Sequence, residues 1–365
     1  MTANRPSLVE PVSSVSWGVG GTGDVPENHA RTRLQFWGTY GRFAGYGGRA
    51  WTAAVTRTTL AAGVLSAATL AAAALGTIVS GAAAGSAAAA GAADAPVSVV
   101  AAENFWGNIA SQVGGRDVRV TSLITDPNAD PHLFETDALD AATLAQAQIV
   151  IENGAGYDTW MSSLLGADGG HPRIVNAASV LHVGGSDPNP HLWYDVPRVP
   201  TVAAAVASAL AKAAPQDASI FAKNLSTFDA SLAPLKQTIT TIKEHFHNAP
   251  VAYTERVPGY LLADANLDVK TPSGFARAIE DGDDPGAADT VAMRRLITEH
   301  DIDVLLYNVQ TVTPVTTQMR SLAKQHAIPV VGVSETMPAR ASTYQQWQQS
   351  QLDNLLHALQ QNRSP

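Results

Sequence analysis

The chain has 365 residues, 23 Lys and Arg against 32 Asp and Glu, and a formal net charge of −9 at pH 7. That length exceeds one small hydrophobic core and suits two lobes. The basic residues are scattered, which excludes the electrostatic footprint of a nucleic-acid-binding face. The chain has no cysteine, which excludes disulfides, thiolate zinc sites, thiol nucleophiles and a lipid anchor on a cysteine of this chain. Any metal must be held by imidazole, carboxylate, carbonyl or water.

Residues 1–54 show no sustained hydrophobic period, and "GVGGTG" (Gly18 to Gly23) lacks the flanking strand and helix that would make it a dinucleotide-binding turn. Leu60 to Val79, "LAAGVLSAATLAAAALGTIV", is apolar, uncharged and preceded by Arg49 and Arg57; small residues with A-x-A sites follow it. A charged start, an apolar centre and a small-residue exit describe a secretory signal. A retained membrane anchor and an Ala-rich linker are the other readings. We expect residues 55–96 to be the export segment and linker, with cleavage near Ala93 or Ala95. Translation is then expected to begin near Val55, and residues 1–54 are a disordered or wrongly included extension.

From Val97 the texture changes to alternating strands and helices. "VSVVAA" (97–102) reads as a strand and "NFWGNIASQVGG" (104–115) as a helix stopped by Gly-Gly. "VRVTSLI" (118–124) is a strand, "TDALDAATLAQAQ" (136–148) a capped helix and "IVIEN" (149–153) a buried strand. "YDTWMSSLL" (157–165) is a helix and "RIVNA" (173–177) a strand. Residues 197–247 then carry no strand. After Pro215, apolar residues recur every three or four positions through Phe246. This predicts one helix of about 45 Å, kinked at Pro234, long enough to join two lobes as a strut. The alternation resumes with strands at 251–254, 267–271, 302–308 and 328–333 and helices at 257–266, 286–300, 313–326 and 343–360. The fold class expected is α/β: two lobes, each a mostly parallel sheet flanked by helices, joined by one long rigid helix. The lobes span 97–214 and 248–361 and the inter-lobe helix 215–247.

Ligands of open parallel sheets sit beyond the carboxyl ends of the strands. Four metal-competent residues lie there. His132 stands in "DPNADPHLF" (126–134), and His191 in "DPNPHLWYD" (187–195), a repetition of the same Asp-Pro…Pro-His-Leu-aromatic pattern. Glu255 follows "VAYT", and Glu335 follows "IPVVGVS". Two imidazoles and two carboxylates suit a divalent first-row ion. Read from spacing alone, each His also fits a solvated turn and each Glu a helix cap. Asp195 and Asp130 are candidates to orient a His through a hydrogen bond. His245 and His247 suit the end of the long helix. His171 and His182 fall in loops without a partner pattern. "EDGDD" (280–284) is only loosely like a calcium loop, and Asp284-Pro285 reads better as a helix N-cap and first turn.

Over about residues 97–360 the sequence resembles the metal-binding solute-binding proteins of bacterial ABC importers, the zinc/manganese (cluster A-I) group. "DPHLFE" and "NPHLWYD", in that order and followed by the long helix, carry the resemblance; "TERVPGYL" and "SETMP" carry it more weakly. The resemblance implies His132, His191, Glu255 and Glu335 as metal ligands. It implies a divalent metal, Zn2+ or Mn2+ and also Fe2+, as transported cargo, an ABC permease in the cytoplasmic membrane as partner, an extracytoplasmic location, and a monomer with no enzymatic activity. Zinc carriers of the group commonly have His at the third position and a His-rich acidic loop; Glu255 and the absence of such a loop look more like the manganese/iron type. Metal uptake is expected to weaken at acidic pH as the imidazoles protonate. The alternative is an exported metal-dependent hydrolase with an open coordination position.

Overall fold

The computed structural model describes residues 95–127, 131, 134–168 and 170–363. The expectations for residues 1–94, and those for Asp130 and His132, lie outside the described residues.

Eight strands among the described residues form two four-stranded sheets, parallel throughout. The first holds β1 (Val97–Glu103), β2 (Val118–Ile124), β3 (Ile149–Glu152) and β4 (Arg173–Asn176) in the order β2-β1-β3-β4. The second holds β5 (Pro250–Tyr253), β6 (Asp268–Val269), β7 (Val304–Asn308) and β8 (Val330–Val333) in the order β6-β5-β7-β8. The two orders are the same topology written twice. Each strand order reverses between its first and third strands, which opens a crevice at their carboxyl ends. The registers match as well: β1 meets β3 from Val99↔Ile149, and β5 meets β7 from Val251↔Val304.

The helices follow from sequence pattern and caps. α1 (Asn104–Gly114) buries Phe105, Trp106, Ile109, Ala110 and Val113 on one face and ends at Gly115, whose φ of 63° a residue with a Cβ rarely adopts. α2 (Ala138–Leu144) opens on a capping box between Asp137 and Asp140. It stops at Leu144, short of the helix expected to 148, because Ala145 to Ala147 turn back into β3. α3 (Thr159–Asp168), the short α4 (Ala177–Val180) and α5 (Val199–Ala213) complete the first lobe.

The segment expected as one inter-lobe helix is divided. Pro215–Asp217 form a 3-10 turn, followed by α6 (Ala218–Ser231) and α7 (Ala233–His245). Leu232 between them keeps a helical backbone (φ −81°, ψ −5°) but falls outside both helices. Pro234 is the cause: without an N–H it cannot bond the carbonyl four residues back, and its ring crowds that turn. α6 packs on α1 and α5, and α7 on the C-terminal helix.

The second lobe adds α8 (Gly259–Asp264), α9 (Ser273–Glu280), α10 (Ala287–Thr298), α11 (Pro314–Gln325) and α12 (Tyr344–Arg363). α9 was not foreseen in the sequence, where no element was expected between the strand at 267–271 and the helix at 286–300. The N-cap of α10 is Gly286, not Asp284. One core is shared by both lobes. It takes Val97, Val99 and Ala101 from β1 and Val251 from β5 together with α1, α5 and α12, whereas Val100 and Ala102, or Ala252, face separate outer clusters.

Candidate metal centre

The site is built where the two crevices meet. Thr254 extends the β5 ladder by one bond to the Leu306 carbonyl (2.9 Å), so Glu255 leaves the sheet edge at a fixed point. Glu335 lies two residues beyond β8, and Asn308 is the last residue of β7. Neither glutamate caps a helix: α8 is capped by Pro258, and no helix begins at Glu335. Both are buried, as is His191.

His191 is held by its own motif. Leu192–Tyr194 form a buried 3-10 turn, and Trp193 stacks on Phe105 with ring centroids 4.0 Å apart. Tyr344 donates to the Trp193 carbonyl (2.6 Å). Asn189 then fixes the imidazole. Its Oδ1 accepts from the His191 backbone N–H (3.1 Å), which settles that atom as the oxygen. The same Oδ1 lies 2.7 Å from His191 Nδ1, so Nδ1 carries the proton and Nε2 presents its lone pair. Asn189 Nδ2 donates across to the Arg256 carbonyl (3.0 Å), beside Glu255. Gly259 leaves room for this bond, since a Cβ would come within 2.7 Å of Asn189 Nδ2 and displace it.

The orienting role foreseen for Asp195 therefore belongs to Asn189. Asp195 instead pairs with Arg198, with Arg198 Nε 2.6 Å from Oδ2. The clue was in the sequence: Asn189 sits two residues before His191 in the same "NPH". His171 and His182 are exposed, whereas His191, Glu255 and Glu335 are buried.

His191, Glu255 and Glu335 each bring one ligand atom into a group whose members all lie within 4.8 Å of one another. His191 Nε2 stands 3.6 Å from Glu335 Oε2. The Asn308 side-chain amide donates to Glu255 Oε2 (2.6 Å) and to Glu335 Oε1 (2.7 Å), and the Tyr157 hydroxyl donates to Glu335 Oε2 (2.8 Å). Burial, then the Glu335 charge, push the Tyr157 phenol well up, so it remains a donor. Gln310 Oε1 receives the backbone N–H of Glu335 and of Thr336. Two buried carboxylates side by side repel at low dielectric, and a divalent cation between them and an imidazole lone pair relieves this. The donor set fits such an ion.

A salt-bridge clasp joins the lobes beside the site. Arg256 grips Glu280 through two bonds (2.6 and 2.7 Å) and reaches Asp187 of the His191 loop (2.9 Å), which Arg277 also contacts.

A second acidic group was not anticipated. Glu103, at the end of β1, is 0% exposed. Burial first, then the neighbouring Asp158 charge, hold its carboxyl well above the usual range. Burial likewise pushes Asp158 up to about 6, against bonds from the backbone N–H of Gly154 and Asn153.

A family model described as ZnuA, zinc-uptake complex component A periplasmic, matches residues 99–358. The chain belongs to this family. A putative metal-binding protein of Treponema pallidum (strain Nichols) is 27% identical over 192 residues, 47% of this chain and 60% of the relative. The manganese-binding lipoprotein MntA of Bacillus subtilis (strain 168) is 27% identical over 146 residues, 38% of this chain and 47% of the relative. The chain thus spans about half the length of the curated relatives it matches. Among solved structures, the periplasmic zinc-binding protein TroA of Treponema pallidum superposes with a TM-score of 0.62 at 20% identity, covering 73% of this chain and 99% of that one. FpvC of Pseudomonas aeruginosa in complex with Mn2+ gives 0.62 at 19% identity, covering 73% and 99%. At these identities the likeness establishes the fold. None of these descriptions is of a hydrolase.

Two outcomes follow from the site. Asn189→Leu frees the imidazole tautomer and is expected to weaken divalent-metal binding about tenfold or more, whereas Asp195→Asn leaves it within about twofold; calorimetric titration of the two variants checks this. Asp158 takes up a proton in the folded state that the unfolded chain does not hold between about pH 4 and 6. Its contribution to stability is therefore complete below pH 4 and is lost as pH rises through about 6, a swing of about 3 kcal/mol. Urea unfolding of the metal-free protein from pH 4 to 7 should show stability falling with pH, and Asp158→Asn should make the fall shallower, Glu103 contributing the same sign.

Proposed function

We propose that the protein captures a divalent transition-metal ion between its lobes and delivers it to an ABC permease in the membrane. Zn2+ and Mn2+ are the foremost cargoes, with Fe2+ also suited to the donors. The observation that carries this reading is the convergence of His191 from one lobe with Glu255 and Glu335 from the other, buried and within 4.8 Å. His132 is the fourth ligand of the proposal. In sequence it follows β2, and Phe134 two residues on packs against Trp160 (centroids 4.7 Å).

The ion closes the lobes because its ligands come from both. Asn189 and the Arg256 clasp pass that closure to the loop bearing His191. Helices α6 and α7 run alongside both lobes and act as the strut that limits opening. Family membership supports an extracytoplasmic place of action, and no helix among the described residues is long and apolar enough to cross a membrane. The protein acts as a monomeric carrier rather than an enzyme, since a cargo site needs its donors supplied by protein.

Calorimetric titration of the metal-free protein with Mn2+, Zn2+ and Fe2+ tests the proposal, beside His132→Ala and His191→Ala. One ion per chain bound tightly and at least tenfold more weakly in both variants is expected, since each loses one of four ligands. Failure of all three ions to bind, or equal binding by the variants, would overturn it.

A further inference from the structure

The repeated sheets point to a residue that neither the motifs nor the three-residue group include. Counting four residues along each ladder from the first paired position carries Val99 to Glu103 and Val251 to Glu255, and it carries Ile149 to Asn153 and Val304 to Asn308. Glu103 and Asn153 thus occupy in the first lobe the ladder positions of Glu255 and Asn308 in the second. Strand alternation puts Glu103 on the face of Val97, Val99 and Ala101, and Glu255 on the face of Val251; both faces meet the core shared by the lobes.

The two half-sites differ in one respect. Asn308 bonds Glu255, but Asn153 is committed elsewhere: its Oδ1 accepts from Trp106 Nε1 (3.1 Å) and its Nδ2 donates to the Pro190 carbonyl (2.8 Å). Glu103 is left fully buried, and the side chain it meets is another carboxyl, that of Asp158. Asp158 beside it has both oxygens taken by the backbone N–H groups of Asn153 and Gly154. A buried carboxyl set against a second carboxyl is costly, and its place in the fold indicates what it awaits. The next residue, Asn104, exchanges two hydrogen bonds with the backbone of Met337 (3.0 and 2.9 Å). That tie draws the end of β1 against the segment carrying Glu335. Glu103 also acts electrostatically on Tyr157, whose hydroxyl bonds Glu335.

We propose that Glu103 is a specificity-determining residue: it supplies an oxygen donor from the first lobe, directly or through one bound water, to an ion that takes more than four donors. The proposal rests on the carrier reading above. Glu103 stands outside the group of atoms within 4.8 Å, so a tetrahedral ion is satisfied without it. Zn2+ is content with four ligands. Harder ions favour oxygen and higher coordination numbers, and selectivity between ions of like charge follows ligand number and type. Glu103 then tilts the site toward Mn2+.

Competition titrations of Mn2+ and Zn2+ on the full chain and on Glu103→Gln and Glu103→Ala test this. Mn2+ affinity should fall at least tenfold in both variants and Zn2+ affinity less than threefold, so the ratio shifts. Equal loss for both ions, or no loss for either, overturns the role of Glu103. Binding of neither ion by the wild type would instead overturn the carrier reading itself. Should a variant not fold, X-ray absorption of the Mn2+-loaded and Zn2+-loaded wild type decides: five or six nitrogen and oxygen donors for Mn2+ against four for Zn2+ are expected, and four for both would overturn the proposal.

Discussion

The structure turns on two carboxylates buried against each other. Glu255 and Glu335 are 1% and 0% exposed, and one amide, that of Asn308, holds both. Such a pair is not a source of stability by itself, because desolvation and mutual repulsion both oppose it. Tyr157, Gln310 and the imidazole of His191 are arranged around the pair, and each comes from a different element. The arrangement makes chemical sense around a positive charge, and in the proposed carrier reading lobe closure and cation binding are one event.

The scaffold supports that event by placing rigid elements behind each donor. Two parallel sheets of the same order present their carboxyl ends to one another. A stacked Phe105–Trp193 pair and the Tyr344 hydroxyl lock the turn after His191. Asn189 sets the imidazole tautomer and reaches the backbone next to Glu255. The Arg256 clasp lies one residue from Glu255 and four from His191, so a shift of either side of the cleft is felt by the other.

Much of this was legible in the sequence, for physical reasons. The apolar runs at β1, β3, β7 and β8 are short, continuous and rich in β-branched residues, and they alternate with helical patterns, which reads as buried parallel strands. The doubled Pro-His-Leu-aromatic pattern pointed to His191 and the strand-end rule to Glu255 and Glu335, three side chains that the fold brings together. What escaped depends on tertiary neighbours. The exception is local: the kink expected at Pro234 goes further and divides the helix at Leu232. Asn189 lies two residues before His191 and Asp195 four after it; Arg198, one turn further on, takes Asp195 away. α9 was hidden because "SGFARAIE" is short and its acidic end runs into "EDGDD". Glu103 was invisible for a different reason: its equivalence to Glu255 exists only once the two ladders are paired.

The central claim is that one ion is held between the lobes by His191, Glu255 and Glu335 together with His132. Anomalous diffraction from crystals of the protein loaded with Zn2+ or Mn2+ tests it most directly. The account predicts one peak in the cleft, bonded to Nε2 of both imidazoles and to carboxylate oxygens of both glutamates. A peak that avoids Glu255 and Glu335, or density for the ion on one lobe alone, would contradict it.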